Sequence, residues 1–242
     1  MIHVLLPAYN EGEALGVVID GIYKTLGGSC LIWVVDDGST DSTAAVARGR
    51  AEKGAPVTLL QHGRNRGLGQ AFRTGLGAVV PVMATDDVLV VLDADDTHPP
   101  ALIPSMVRLI EEGGADLVIA SRFAPGGLET GVPFFRRILS AGARALFTFL
   151  FHVPGVRDYT CAYRAYRGDL LRRGIERWGE LVTEDGFASS AEWLLRLSVL
   201  KPLVAEVPLV LRYDRKTTPS KMKVFSTVRR TLAMLRRFRK IR

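Results

Sequence analysis

The stretch "VLVVLDADDTHPP", residues 88–100, runs from an apolar, β-branched segment directly into three aspartates, a histidine and two prolines. The apolar run 88–92 predicts a buried strand, whose end is where the backbone leaves the sheet and reaches solvent. Carboxylates this close repel one another unless a positive group lies among them. Because side chains two residues apart in an extended segment point the same way, Asp93 and Asp95 can meet one divalent cation.

The sequence around this stretch alternates strand-like and helix-like patterns over its first 120 residues. Apolar runs such as "IHVLLPAY", "LIWVVDD", "VTLLQH" and "ADLVIASR" are separated by amphipathic segments such as "EGEALGVVIDGIYKTL" and "GLGQAFRTGLGAVV". This alternation predicts repeated β-α units, and therefore an α/β fold with a mostly parallel central sheet flanked by helices. In such sheets, ligands bind beyond the carboxyl ends of the strands.

The polar residues that follow each predicted strand are therefore the candidate site residues. They are Pro7, Tyr9, Asn10 and Glu11 after the first strand, Asp36 and Asp37 after the second, Asn65 after the third, Asp93 and Asp95 after the fourth, and Ser121 and Arg122 after the fifth. One site can be built from all of them, because parallel strands end at the same edge of a sheet.

Composition and simple motifs exclude several other classes of protein. The 242 residues are 48% hydrophobic and 24% charged, as in a globular protein, and the two cysteines have no zinc or redox spacing. The sequence contains no Gly-Lys pair, which excludes a P-loop, and "GLGQAFRTG" lacks the third glycine of a dinucleotide fingerprint. We expect no signal peptide, because the first residues have no basic n-region and no cleavage-site pattern. We expect no membrane-spanning helix, because no apolar run approaches about 18 residues.

Eight motifs, taken together, resemble a known family. "LPAYNEGEAL", "VVDDGSTDST", "NRGLGQAFRTGL" and "VLDADDTHPP" occur in the order found in family 2 glycosyltransferases of the GT-A fold. "ASRFAPGG", "RRILSAGAR", "VRDYTCAYRAY" and "EVPLVLRYDRKTTPSK" resemble the branch of dolichol- and polyprenyl-phosphate mannose synthases. The resemblance extends to about Lys221, which implies a GT-A domain at 1–220 and a separate tail at 221–242.

The resemblance also implies a role for individual residues. The expected donor-binding residues are Pro7, Tyr9, Glu11, Asp36, Asp37, Gly67, Asp93, Ala94 and Asp95. The expected ligands of a Mg²⁺ or Mn²⁺ ion are Asp93, Asp95 and Thr97, where Thr97 replaces the Gln or Ser that the family usually has. The expected acceptor-binding residues are Ser121, Arg122, Arg136, Arg215, Ser220 and Lys221. Asp93, Asp95 and Arg122 are the expected catalytic residues.

The implied activity is an inverting, metal-dependent transfer of a hexose, with mannose from GDP-mannose as the first choice, to a polyprenyl phosphate at the cytosolic membrane face. One alternative is a transferase with a hydroxyl acceptor, for which Asp185 in "LVTEDGF" would be the general base. Another is a non-catalytic nucleotide-sugar-binding protein. Asp158 and Glu192 match the family as well, and they could orient arginines rather than touch substrate.

The basic residues are concentrated in the tail. The chain has a net charge of +7, but residues 221–242 contain nine Lys or Arg and no acid. An apolar stripe, Phe225, Val228, Leu232 and Leu235, predicts a basic amphipathic helix on an anionic membrane surface. Residues 136–153 change from basic to apolar, which suits either a guide for a prenyl chain or packing against the sheet. We therefore expect a cytoplasmic, peripheral membrane protein or one with a membrane-anchoring partner, and no nucleic-acid binding.

Overall fold

A computed structural model of the chain describes residues 1–216, 218 and 224–241. The predicted acceptor residues Ser220 and Lys221 lie outside the described residues. The strands are β1 (Ile2–Ala8), β2 (Cys30–Asp36), β3 (Val57–Gln61), β4 (Val88–Val91), β5 (Leu117–Ser121), β6 (Leu128–Thr130), β7 (Arg164–Arg167), β8 (Val204–Pro208) and β9 (Val210–Arg212). The helices are α1 (Gly12–Leu26), α2 (Thr43–Glu52), α3 (Leu68–Val79), α4 (Ile103–Glu111), α5 (Phe134–Phe151), α6 (Gly168–Trp178), α7 (Ser189–Ser198) and α8 (Val224–Ile241).

The main sheet has seven strands in the order β3-β2-β1-β4-β7-β5-β8. All neighbours pair in parallel except β7, which is antiparallel to both β4 and β5. The predicted mostly parallel sheet is therefore confirmed. The sequence did not reveal the direction of β7, because this strand follows α5 and a long loop instead of a regular β-α connection. The short strands β6 and β9 form a separate parallel pair.

Helices flank this sheet in two groups. Helix α1 contacts α2 and α4, whereas α3 and α6 contact α7. The four residues of β4 are at most 1% exposed, as expected for a central strand that is covered on both faces. This burial explains why 88–92 is a continuous apolar run and not an alternating one.

The carboxyl ends of three strands define the edge of the sheet where the site lies. Strands β2 and β4 both pair in parallel with β1, so that Ala8 at the end of β1 lies beside Asp36, and Leu5 lies beside Val91. The loops after β1, β2 and β4 therefore emerge side by side. They contain most of the predicted donor-binding residues.

The basic tail forms α8, and part of its predicted apolar stripe is buried. Leu235, together with Met234 and Phe238, is at most 5% exposed, and the Phe238 ring lies 5.7 Å from the ring of Phe151 in α5. Phe225 is 92% exposed, and Val228 and Leu232 are also exposed. The second half of the helix thus packs on the body of the protein while the first half presents its apolar side chains to solvent. The division at residue 220 stays a prediction.

Nowhere in the described part of the chain is there a helix both long and apolar enough to cross a bilayer.

Candidate active site

The loop after β4 folds back on itself and holds its carboxylates in place. The backbone N–H of Asp93 donates to Nδ1 of His98 over 3.1 Å. Oδ1 of Asp95 accepts hydrogen bonds from the hydroxyl of Thr97 at 2.7 Å and from its backbone N–H at 3.2 Å. Asp96 has a left-handed backbone conformation with φ of 58°, which Asp tolerates better than most residues. The chain turns at this residue, between Asp95 and Thr97.

A lysine ammonium contacts this carboxylate pair. Nζ of Lys216 lies against Oδ2 of Asp95, and both side chains are about nine-tenths buried. Burial works to raise the pKa of the Asp95 carboxyl, but attraction to Lys216 and then to His98 lowers it below its ordinary value. Burial raises the pKa of Asp93, and repulsion by Asp95 acts in the same direction. Asp95 is thus the carboxylate of the pair that contacts a cation of the protein.

The chemistry of these side chains fits a divalent cation that a bound nucleotide would share. No cluster of three or more His, Cys, Asp or Glu side chains suited to a metal occurs among residues 1–216, 218 and 224–241. Magnesium sites in nucleotide enzymes, however, need only one or two carboxylates, because substrate phosphates and water complete the coordination. The ammonium of Lys216 on Asp95 is a protein cation in the place where such an ion would be held. Thr97 is buried and donates its hydroxyl to Asp95.

The donor-side residues at the ends of β1 and β2 form a network of hydrogen bonds. Glu11 is 7% exposed, and its Oε2 accepts from the hydroxyl of Thr218 at 3.0 Å. Asp36 and Asp37 are buried: Asp36 accepts from the backbone of Ser39 and the amide of Gln61. Pro7, Tyr9 and Ala94 are placed on the same edge, at the ends of β1 and β4.

Asp37 connects the end of β2 to the beginning of α3. Its two carboxylate oxygens accept the backbone N–H groups of Arg66, at 2.9 Å, and of Gly67, at 2.8 Å, and Oδ1 also contacts the ring of His62. Gly67 has φ of 93°, and a Cβ there would lie 2.4 Å from the carbonyl oxygen of Asp185. Only glycine therefore fits this turn, which brings the 184–185 backbone onto the start of α3.

Asp185, the alternative general base, is engaged in an ion pair. Its Oδ1 lies 2.5 Å from Nη2 of Arg73, and its side chain is 56% exposed. The neighbouring loop is held by Glu192, whose Oε2 accepts the backbone N–H groups of Thr183 and Glu184 at 2.7 and 2.8 Å. Glu192 also pairs with Arg196 at 3.0 Å. Of the two roles considered for Glu192, its contacts favour an orienting one, directed at this loop.

The arginine side of the site is built around a buried carboxylate. Nε and Nη2 of Arg122, which follows β5, each lie 2.7 Å from the Asp158 carboxylate, and Asp158 is fully buried. Nη1 of Arg122 lies 3.3 Å from Glu129 on β6, which also faces Arg137 at 3.7 Å. Burial works to lower the pKa of Arg122, but attraction to Asp158 holds it well above its ordinary value. Asp158 therefore orients Arg122. Ser121 is buried directly beside it and accepts the backbone N–H of Phe123.

One segment of chain contacts both the carboxylate loop and the basic helix α5. The backbone N–H of Arg212, in β9, donates to the carbonyl of Thr97 over 3.0 Å. The next residue, Tyr213, accepts a hydrogen bond from Arg136 of α5 at 3.2 Å. Arg215 lies 3.9 Å from Asp96. Arg215 thus lies at the loop of the D-x-D pair, and Arg136 is linked to that loop through Tyr213 and the neighbouring Arg212.

The sequence analysis missed three residues of this arrangement. Lys216 and Thr218 contact two predicted donor residues, and Glu129 neutralises Arg122. The signal for the first two was their position inside the "RYDRKTTPSK" motif, between residues that were chosen. No signal pointed to Glu129, because only the pairing of β6 with β9 places it there.

The chain is similar to several known proteins. An undecaprenyl-phosphate mannosyltransferase of Micrococcus luteus is 33% identical over 90% of this chain and 86% of its own. A dolichol-phosphate mannosyltransferase of Pyrococcus furiosus is 32% identical over 86% of this chain and 55% of its own, longer chain. Glucosyl-3-phosphoglycerate synthase of Mycobacterium tuberculosis, solved with Mn²⁺, UDP-glucose and phosphoglyceric acid, superposes with a TM-score of 0.72 at 23% identity, over 99% of this chain and 80% of its own.

The similarity to glucosyl-3-phosphoglycerate synthase shows the fold of the chain. Its family is shown by a match to the sequence profile of glycosyl transferase family 2. That profile covers residues 3–175, which include the loops after β1, β2 and β4, the D-x-D pair, Arg122 and Asp158. With the two mannosyltransferases above 30% identity, it establishes that this chain is a member of glycosyl transferase family 2.

Proposed function

We propose that this protein transfers a hexose from a nucleotide sugar to a polyprenyl phosphate, with inversion at the anomeric carbon and with a divalent cation. Mannose is the proposed sugar, because three similar proteins are named as mannosyltransferases or a phosphomannose synthase of polyprenyl, undecaprenyl or dolichol phosphate. GDP-mannose is its proposed donor. The single observation that carries the proposal is that segment 212–216 joins the D-x-D loop to the arginine of α5. The loop that we propose for the diphosphate and an arginine that we propose for the acceptor phosphate are therefore linked by one segment of chain.

The carboxylates and the arginines have separate tasks in the proposed reaction. Asp93 and Asp95 would hold the cation, which would supply charge stabilisation to the departing nucleotide diphosphate. Arg122, Arg136 and Arg215 bind the acceptor phosphate and direct one of its oxygens at the anomeric carbon. That oxygen forms the new bond as the bond to the diphosphate breaks, so the configuration inverts. A phosphate oxygen is already anionic at neutral pH, and no side chain has to remove a proton from it.

The state of Asp185 supports a phosphate acceptor over a hydroxyl acceptor. A general base needs to reach the proton that it removes, and Asp185 is exposed and paired with Arg73. We expect Asp185→Asn to retain at least about a tenth of the wild-type transfer rate, because Asp185 is not a general base in the proposed reaction. Loss of a general base would lower the rate by about 10²–10⁴-fold. Steady-state kinetics with a short prenyl phosphate measure this effect, and Glu180→Gln, on the same loop, controls for loss of a surface charge. A folded but inactive Asp185→Asn enzyme would favour the hydroxyl acceptor.

Exposed apolar side chains on α5 and α8 support binding to a membrane surface. Phe134 and Phe149 of α5 are 75% and 86% exposed, while Phe147 and Phe151 of the same helix are buried. Helix α5 thus packs on the body with one face and exposes the other. Its exposed face is available for the proposed role of residues 136–153 as a guide for a prenyl chain. Contact between Phe151 and Phe238 joins it to α8, whose exposed side carries arginines. Exposed apolar groups among arginines suit an anionic bilayer at the cytosolic face.

This membrane proposal gives a prediction for Phe225. We expect Phe225→Asp to weaken binding to vesicles of anionic phospholipid by about tenfold, since it removes an exposed aromatic side chain that would insert into the bilayer and adds charge repulsion. Folding should not change, because Phe225 is 92% exposed. The matched control is Val17→Asp, which makes the same kind of change at an apolar residue of α1 that is 57% exposed. Co-sedimentation at low and high salt measures the binding; equal binding of both variants and wild type would contradict the proposal.

The donor is tested with labelled nucleotide sugars. The protein is incubated with GDP-mannose, UDP-glucose or UDP-galactose, a short polyprenyl phosphate, and Mg²⁺ or Mn²⁺. We expect label in the organic phase with GDP-mannose and loss of that label with a chelator. Label from a UDP sugar alone would correct the donor and leave the reaction class unchanged.

A further inference from the structure

Three residues of the segment after β9, Arg215, Lys216 and Thr218, lie at the edge of the sheet where the donor is proposed to bind. Lys216 contacts Asp95, the hydroxyl of Thr218 donates to Glu11 at 3.0 Å, and Arg215 lies 3.9 Å from Asp96. Glu11 follows β1 and the two aspartates follow β4, so that the segment connects the ends of two neighbouring strands. All of these contacts join a cationic or hydroxyl group to a carboxylate.

Both oxygens of Asp95 are used by protein groups in this arrangement. Oδ1 accepts from Thr97, and Oδ2 faces the ammonium of Lys216. Lys216 is 11% exposed and Asp95 is 13% exposed, so solvent screens their attraction only in part. Coordination of a divalent cation by Oδ2, at about 2.0–2.6 Å, leaves no room for an ammonium on the same oxygen. The lysine has to move before the ion binds.

We infer that Lys216 is an internal counter-ion that a divalent cation displaces, and that this exchange makes binding of the cation depend on the nucleotide. A cation that binds alone costs the ammonium its contact with Asp95 and leaves two positive charges close together. When the cation arrives with a diphosphate, the ammonium can contact a phosphate oxygen instead, because the diphosphate would bind at the same strand ends as Lys216. The exchange therefore disfavours the bare ion and favours the ion together with the nucleotide. This inference rests on the proposed function and specifies how its donor site is filled.

The test measures binding constants and needs no transfer activity. Dissociation constants of Mn²⁺ are obtained by electron paramagnetic resonance for wild type and Lys216→Met, each with and without saturating GDP, and in a parallel series with UDP. We expect Lys216→Met to bind Mn²⁺ alone about tenfold more tightly and to lose most of the enhancement that the nucleotide gives wild type, a change within the usual range of coupling between sites. Lys216→Arg, which keeps the charge, should behave like wild type.

A further variant separates this inference from the proposed function. Asp95→Ala should lose Mn²⁺ binding with or without nucleotide. If it does, but Lys216→Met has the same two constants as wild type, the counter-ion role is wrong while the cation site stands. If wild type and Lys216→Met both fail to bind Mn²⁺ in the presence of either nucleotide, the inference and the cation dependence of the proposed function fail together. Circular dichroism spectra of the variants, matched to wild type, show that the differences are local.

Discussion

Asp95→Ala will lower the rate of transfer by about 10³-fold or more, because a divalent cation contributes several kcal/mol of charge stabilisation to a departing diphosphate. Asp95 is the carboxylate around which the loop after β4 is organised, through Thr97 on one oxygen and Lys216 on the other. With alanine, Asp93 is the only carboxylate of the D-x-D pair left for the ion. Initial rates at saturating donor, measured with Mn²⁺ and with Mg²⁺, give the size of the loss.

The control for this change is Asp86→Asn, which removes an exposed carboxylate before the other end of β4. It should retain wild-type rates. Calorimetry with GDP adds a second measurement: in the presence of Mn²⁺, nucleotide affinity should fall in Asp95→Ala and stay unchanged in the control. Unaltered, Mn²⁺-dependent affinity in Asp95→Ala would remove Asp95 from the cation site.

The second large effect concerns stability. Asp158→Ala should lower the free energy of unfolding by about 3–5 kcal/mol, because it leaves the guanidinium of Arg122 buried without its main partner. Asp158 accepts three bonds from Arg122, at 3.2 Å from its backbone N–H and at 2.7 Å from two side-chain nitrogens, and a further one from the backbone of Cys161 at 3.0 Å. Denaturant unfolding followed by circular dichroism measures the loss.

The chain offers a matched control in Asp20. This carboxylate also receives two bonds of 2.7 Å from one arginine, Arg50, but it is 59% exposed. Asp20→Ala should cost no more than about 1 kcal/mol, as is usual for ion pairs in contact with water. Burial is thus the variable that separates the two substitutions. Equal effects of Asp158→Ala and Asp20→Ala would show that the Arg122 pair is solvated and not a fixed part of the site.

The Asp158 effect should also depend on pH in one direction. Burial works to raise the pKa of Asp158, but attraction to Arg122 lowers it below its ordinary value of about 3.9. A lowered pKa in the folded state stabilises the protein above the unfolded-state pKa, and this contribution is lost as the pH falls through the folded-state value. The difference in stability between wild type and Asp158→Ala should therefore be largest near neutral pH and should shrink below about pH 4.

The sequence predicted the β-α alternation and the edge of the sheet where the candidate site lies, for a local reason. The apolar run 88–92 is determined by burial on both faces of a central strand, and a D-x-D after it can be recognised without knowledge of other parts of the chain. Gly67 is similar, since a glycine at a helix start already indicates a turn. These features depend on neighbours in the sequence.

Features that depend on distant segments could not be predicted in the same way. The antiparallel direction of β7 follows from the path of the chain after α5, and no periodicity encodes it. Contacts such as Lys216 with Asp95 join residues far apart in the sequence. Phe238 of α8 is buried where its ring meets those of Phe151 and Trp178, which are also distant in the sequence. The helical pattern showed that α8 has an apolar stripe, but a stripe alone does not show which of its residues meet the protein and which meet solvent.

The most direct test of the central claim compares two acceptors that differ by one group. Purified protein with Mn²⁺ and labelled GDP-mannose is given either a short polyprenyl phosphate or the polyprenol of the same chain length, and the organic phase is analysed. The account predicts a labelled glycosyl phosphate lipid from the first acceptor and no product from the second, because the arginines bind a phosphate and no general base serves a hydroxyl. Transfer to the polyprenol at a comparable rate, lost in Asp185→Asn, would contradict it.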